Sequence, residues 1–351
     1  MTLKTKKILA FLLPIQIIVI KFLGNFPEFI EQYYSNGLYP ILSNIARFLL
    51  GWIPFSIGDI FYGTLLVFAL RWVFKNKNNF RLIPMQLGIS IIAFLSVLSF
   101  AFHLFWGINY YRKPLHETLN INTKYNTQQL ITVTQQLIKN ANSIHSEITK
   151  NDSLKVRIPY TQTEVFKKTK NGYNTLSEIY PSLKYQNRSI KKSLLSLPLT
   201  YMGFSGYLNP FTNEAQVNDM ISSYHFPFVS CHEIGHQIGY AAENETNFIG
   251  YLAAKHNNDI YFKYAAVTFA VRNCLNELYR RDAETCKQLS NSLHLGVRNN
   301  FKESRFFWNS YQNPIEPIFK FGFDLFLKSQ NQTKGIQSYS YVVALIVNEE
   351  I

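Results

Sequence analysis

Ser230-Cys231-His232-Glu233-Ile234-Gly235-His236-Gln237 contains the pattern His-Glu-x-x-His within a segment whose surroundings read as helix. Two histidines four apart on a helix share one face, so their imidazoles can hold a single Zn²⁺ while the intervening glutamate points at the water that the metal binds. Phe226, Phe228, Val229 and Ile238 give the segment apolar faces, Pro227 suits a first helical turn, and Gly239 is placed to end it. The stretch predicts a metal-dependent hydrolase chemistry, with His232 and His236 as zinc ligands and Glu233 as general base.

A catalytic zinc needs a third protein ligand. Ala242 stands where a metzincin would place a histidine, and the carboxylates of Glu243 and Glu245 follow instead. If Asn244 caps the next helix, then Glu245, Phe248, Ile249 and Leu252 fall at i, i+3, i+4 and i+7, and this face is expected to pack toward the motif helix. Glu245 is therefore the expected third ligand, and Glu243 is expected to lie in the preceding loop, solvated. Asn244-Glu245 followed by Phe248 and Tyr251 is also similar to the second-helix motif of gluzincins, in which a glutamate completes a two-His, one-Glu site.

Upstream, Leu199 to Asn218 is rich in aromatic, glycine and turn residues and reads as a hairpin or two short strands. The free edge of a strand placed just before a metal-binding helix can pair with an extended peptide, and Gly203 and Gly206 would allow close approach. Glu214 could bind a substrate amine or serve as an ordinary carboxylate; Tyr207, Tyr224 and His225 are candidates for stabilising an oxyanion. His256 and His294 read as surface residues. Elsewhere the outer part reads as helical, with a helix over Thr127 to Ile148 and another opened by the cap-like Thr161-Gln162-Thr163-Glu164.

The first third of the chain has a different character. Residues 8–23, 57–74 and 86–107 are long apolar runs, each near the length that crosses a bilayer, and three transmembrane helices are expected. Lys4, Lys6 and Lys7 before the first run, and Arg71, Lys75, Lys77 and Arg81 between the second and third, place both flanks in the cytoplasm. The part after the third run is then expected in the periplasm of a bacterial inner membrane. Residues 40–55 carry Ile41, Ile45, Phe48 and Leu49 at helical spacing and read as a helix lying in the outer interface. Asp59 and His103 sit at span ends, where they read as boundary residues. The division expected is a membrane region over 1–109 and an extracytoplasmic domain over 110–351, the latter long enough to hold its own core.

Net charge is +13, and between Lys139 and Lys192 eleven Lys or Arg face four Asp or Glu. No nucleic-acid motif accompanies this excess, so it reads as a solvated basic surface, of a kind that could also face anionic head groups. Cys231, Cys274 and Cys286 form no disulfide framework and no Cys-x-x-Cys zinc site. Cys274 and Cys286 on one continuous helix would stand roughly 18 Å apart, too far for a bridge.

Several stretches together resemble a family of bacterial membrane proteins catalogued as domain of unknown function 3810, found chiefly in Bacteroidetes-type bacteria. They are Gly51 to Asp59, Trp106 to Arg112, Asn209 to Ala215, Cys231 to Gln237, Glu245 to Tyr251 and Ser338 to Val343. The resemblance implies an integral membrane protein with a zinc-peptidase-like domain and brings no substrate. The expected fold is mainly α: three transmembrane helices followed by a mostly helical zincin-like domain with a small β hairpin. The expected function is a membrane-anchored zinc peptidase acting on a peptide or protein, with no nucleic-acid partner. A catalytically inactive envelope scaffold and a cell-wall peptide amidase are the alternatives. Retention of Glu233 speaks against the scaffold, because a structural site needs no base.

Overall fold

A computed structural model describes residues 1–78, 82–330 and 339–351; Arg81 and Ser338, used above, lie outside the described residues. The chain is mainly helical with one small sheet. The N-terminal part holds α1 (Leu3–Leu23), a π-helical segment (Ile30–Leu38), α2 (Tyr39–Leu50), α3 (Ile57–Asn76) and α4 (Pro84–Phe105). Two of these, α3 and α4, are long and apolar enough to cross a membrane; α1 passes the same test together with Pro27–Leu50, to which it is joined at 96°. The bend follows from Gly24 and Pro27, and it turns α2 across the end of α1 as an interfacial helix would lie. α1 packs along α4, whereas only Gly58 and Asp59 are buried on α3.

The remainder is a helical body: α5 (Thr127–Thr149), α6 (Gln162–Ile179), α7 (Ser196–Met202), α8 (Phe226–Gln237), α9 (Glu243–Lys255), α10 (Ile260–Arg281), α11 (Ala283–Asn291), α12 (Leu295–Ser310), α13 (Glu316–Ser329) and α14 (Tyr339–Glu350). Local chemistry explains the starts. Thr161 and Glu164 form a reciprocal capping box on α6, and Asn126 and Gln129 do the same on α5. The core gathers the inner faces of α5, α6 and α8 to α10, with Tyr173, Phe248, Phe262 and Tyr264 fully buried. Cys274 and Cys286 lie on different helices, α10 and α11, and all three cysteines are buried and free.

The expected hairpin is present as β2 (Gly206–Asn209) and β3 (Glu214–Val217), antiparallel, with Leu208 opposite Ala215. A third strand the periodicity did not signal, β1 (Ile190–Lys192), pairs in parallel with β3, so the order is β1-β3-β2 and β2 is an edge. The sheet rests on α8, which places that edge strand beside the motif helix.

Candidate metal centre

α8 carries the motif across its middle and stops where Gly239 takes φ +94°, a left-handed conformation that a side chain would strain. The chain then doubles back through Tyr240 to Ala242 and enters α9, which packs on α8. The crossing is close because small residues line it. A Cβ on Gly235 would meet Thr246 at 2.6 Å, and one on Gly250 would meet the His232 backbone at 3.0 Å. The face of α9 against the motif is thus Glu243, Thr246, Asn247 and Gly250, at i, i+3, i+4 and i+7.

That register brings Glu243 to the two imidazoles, where the expectation had placed Glu245. Glu243 opens α9 and lies with Oε2 3.5 Å from His232 Nε2 and Oε1 3.7 Å from His236 Nε2. Glu245 turns the other way: its Oε1 accepts the Leu115 backbone N–H at 2.7 Å, in a buried region that also holds Arg112. Phe248, Ile249 and Leu252 are buried with it in the core, so the apolar stripe is real; Ile249 Cγ2 reaches the motif helix beside Gly235, but the Glu245 carboxylate does not. Among the described residues, His232, His236 and Glu243 have ligand atoms within 4.8 Å of one another, and Glu245 belongs to no such group.

The donor set fits a zinc ion. Ligands about 2.0–2.1 Å from a tetrahedral centre stand roughly 3.3–3.5 Å apart, close to the 3.5 and 3.7 Å between Glu243 and the two imidazole nitrogens. His236 Nδ1 faces the Tyr240 carbonyl at 2.8 Å, which fixes the proton on Nδ1 and leaves Nε2 as a lone-pair donor toward Glu243. The Glu233 carboxyl sits against Gly206, where a Cβ would come within 2.4 Å of Oε1. Its buried Oε2 has no hydrogen-bond partner among the described residues, an orphaned acceptor suited to a water nucleophile. The Glu243 side chain is 34% exposed, against 12% and 8% for the two histidines, so the centre opens on its side.

Electrostatics agree with a place for a cation. Burial pushes the Glu233 carboxyl up to about 8, and the His232 imidazole only partly offsets this. Burial lowers His236 to about 4, keeping it neutral. At His232 burial also acts downward, but the hydrogen bond with Glu243 and the Glu233 and Glu243 charges outweigh it and the net shift is up. Glu243 shows the converse: burial raises it, and the two imidazoles more than reverse this. Glu245, away from the imidazoles, is pushed by burial up to about 7.

The other candidates are placed as follows. Gly206 is brought to Glu233. Gly203 ends α7 at φ +80° and packs on Glu316 of α13. The Tyr207 hydroxyl bonds Asp59 and its ring stacks on Tyr62, so it serves the end of α3. Glu214 is fully buried, pairs with Lys191, and accepts the backbone N–H groups of Ile57 and Gly58 at the start of α3. With its oxygens engaged inside the protein, it is not available to a substrate amine. Tyr224 is buried beside Tyr264, and His225 stacks on Phe228 two turns before His232. His256 is half-buried. His294 makes a further cluster with the buried His145 and the exposed Asp152; His145 faces both His294 and the Leu154 carbonyl, and Asp152 lies 3.3 Å from His294, which joins α5 to the start of α12.

Sequence reasoning missed the supports of the motif helix. The last carbonyls of α8 and its turn are capped by side chains from the first third of the chain: Trp106 Nε1 to His236 O at 3.2 Å, Tyr39 hydroxyl and Arg47 Nη1 to Gln237 O at 2.7 and 2.9 Å, and Arg112 Nη1 to Gly239 O at 2.9 Å. Two guanidinium groups thus meet the negative end of this helix. Arg112 is itself held by Glu31 through Nε–Oε2 at 2.9 Å and Nη2–Oε1 at 2.6 Å, and lies over the Tyr240 ring. The expected division at residue 109 therefore runs through a network that crosses it in several places. Arg112→Ala should leave the buried Glu31 charge unpaired and destabilise the full chain by about 3–5 kcal/mol, with little rescue by Lys, which cannot make the bidentate pair. Thermal unfolding in detergent measures this, and a melting curve like wild type would refute the role.

Comparison with known protein families matches residues 34–347 to the family described as "Protein of unknown function (DUF3810)". No curated protein and no solved structure matches the chain. A match over most of the sequence settles membership: the chain belongs to the DUF3810 family.

Proposed function

We propose that this protein is a zinc-dependent hydrolase held in a membrane, most simply a peptidase. The observation that carries the reading is the convergence of His232, His236 and Glu243, with Glu233 beside them and its Oε2 unpartnered. These three residues would hold the zinc, which when bound lowers the pKa of a water and polarises a carbonyl. Glu233 takes the proton of the attacking water at Oε2 and delivers it to the leaving amine. A carboxyl whose burial raises its pKa is suited to both halves of that transfer. The edge strand β2 begins at Gly206 against Glu233, so a peptide added to that edge would bring its backbone to the base.

The metal content of the full chain in detergent tests the reading. Wild type should carry about one zinc per chain, and His232→Ala or His236→Ala should remove most of it. A metal-free wild type after purification without chelators, refusing added zinc, would end the proposal.

The spanning arrangement belongs to the same proposal: α1, α3 and α4 cross the bilayer, the N-terminus lies inside, and the helical body faces the periplasm of a bacterial inner membrane. A periplasm-dependent reporter fused after Ile351 should be active. Activity of a cytoplasmic reporter at that position instead would reverse the orientation.

A further inference from the structure

α13 has three sides rather than two. Glu316, Lys320, Asp324 and Lys328 form a polar stripe with ion pairs at 2.5 Å (Lys320–Glu316) and 2.6 Å (Lys328–Asp324). A second side packs inward. Phe323 meets Phe204, Phe326 meets Phe102 and Tyr110, and Leu327 is buried. The third side carries Ile315, Ile318, Phe321 and Leu325, each more than half exposed, with Ile318 and Phe321 at 68% and 63%. At 100° per residue these four fall within one sector of about 120°. A contiguous apolar sector of this size on a helix that already has a polar stripe and a packed face marks contact with an apolar medium.

Position in the fold identifies that medium. The end of α13 packs on the last turn of α4, where His103 Nε2 lies 3.3 Å from Gln330 Oε1 and Phe326 touches Phe102. The start of α13 packs on α7, and α7 follows Leu194, whose backbone N–H bonds Asp59 in the first turn of α3. Leu194, Leu197 and Tyr201 are themselves exposed. α7 and α13 therefore stand at the level of the outer ends of the two helices apolar enough to cross a bilayer, and Leu208 of the edge strand and Phe323 of α13 pack on the same buried cluster around Trp106 and Tyr110.

We infer that the third side of α13 is immersed in the outer leaflet of the bilayer, making this helix a further membrane-contacting element. The inference rests on the reading that α3 and α4 span. The i,i+4 ion pairs then lie where the helix meets head groups and water, and the inward phenylalanines tie it to the protein.

Single cysteines placed by Ile318→Cys, Phe321→Cys and Leu325→Cys on α13, by Phe94→Cys on α4 and by Leu154→Cys in the outer body are labelled with bimane in the full chain. The native cysteines are buried, and the unsubstituted protein serves as blank. Each sample is reconstituted in phosphatidylcholine vesicles with and without brominated acyl chains. The three α13 labels should lose fluorescence to the same order as Phe94, with Leu154 unchanged. Quenching at Phe94 together with α13 labels at the level of Leu154 overturns the inference alone. An unquenched Phe94 overturns the spanning reading beneath it.

Discussion

Glu243→Gln should lower zinc affinity of the full chain by more than about 100-fold, while Glu245→Gln should change it by less than about tenfold. An outer-shell change costs 10–100-fold, so loss of a ligand belongs above that range and removal of a distant carboxylate below it. The reason lies in the start of α9. Glu243 projects between the two Nε2 atoms at 3.5 and 3.7 Å, and its carboxylate is held below its ordinary pKa by the imidazoles. Glu245 bonds the Leu115 N–H and is pushed up to about 7 by burial, so a neutral amide in its place keeps an acceptor where one is needed. Zinc content after dialysis against a graded chelator series separates the two. Retained zinc in Glu243→Gln with loss in Glu245→Gln would restore the ligand expected from periodicity.

That contrast also shows what the sequence can and cannot say. The motif, the helix that carries it, its stop at Gly239, the capping boxes at Thr161 and Asn126, and the strand pair before the motif are local signals, each complete within a few residues. Periodicity also located the apolar stripe Glu245, Phe248, Ile249 and Leu252, and all four are buried. It failed to say against what. α9 is buried on several sides, and the side closest to the motif helix is built mostly of small and polar residues, Thr246, Asn247 and Gly250, with Ile249 at its margin beside Gly235, because two helices this close leave little room for large ones. Gly235 and Gly250 were the available signal, one on each helix. β1 and the caps from Tyr39, Arg47, Trp106 and Arg112 join residues about 130 to 200 positions apart, or pair strands of three residues, and carry no period at all. Trp106 and Tyr110, which follow α4, stand against His236 and in the field of Glu243.

Glu233→Gln should keep the zinc and abolish hydrolysis, a loss of about 10²–10⁴-fold if the residue acts as general base. The substitution is nearly isosteric and touches no proposed ligand, so metal content acts as an internal control on folding. Oε1 lies beside Gly206 and Oε2 has no partner, so little in the fold depends on the charge. A buried carboxyl with a pKa near 8 and no compensating donor destabilises the protein, and replacing it by an amide should raise thermal stability slightly at neutral pH or leave it unchanged. Gly206→Ala approaches the same group from outside: its Cβ would fall 2.4 Å from Oε1 and 2.6 Å from the Gln216 carbonyl, so the edge strand or the carboxylate must shift. Activity should fall in that variant too, with zinc retained. Full hydrolysis of a peptide substrate by Glu233→Gln at wild-type zinc content would remove this residue from the mechanism. Loss of zinc in the same variant would instead make it a determinant of the metal site, and the division of labour among the three glutamates would have to be redrawn.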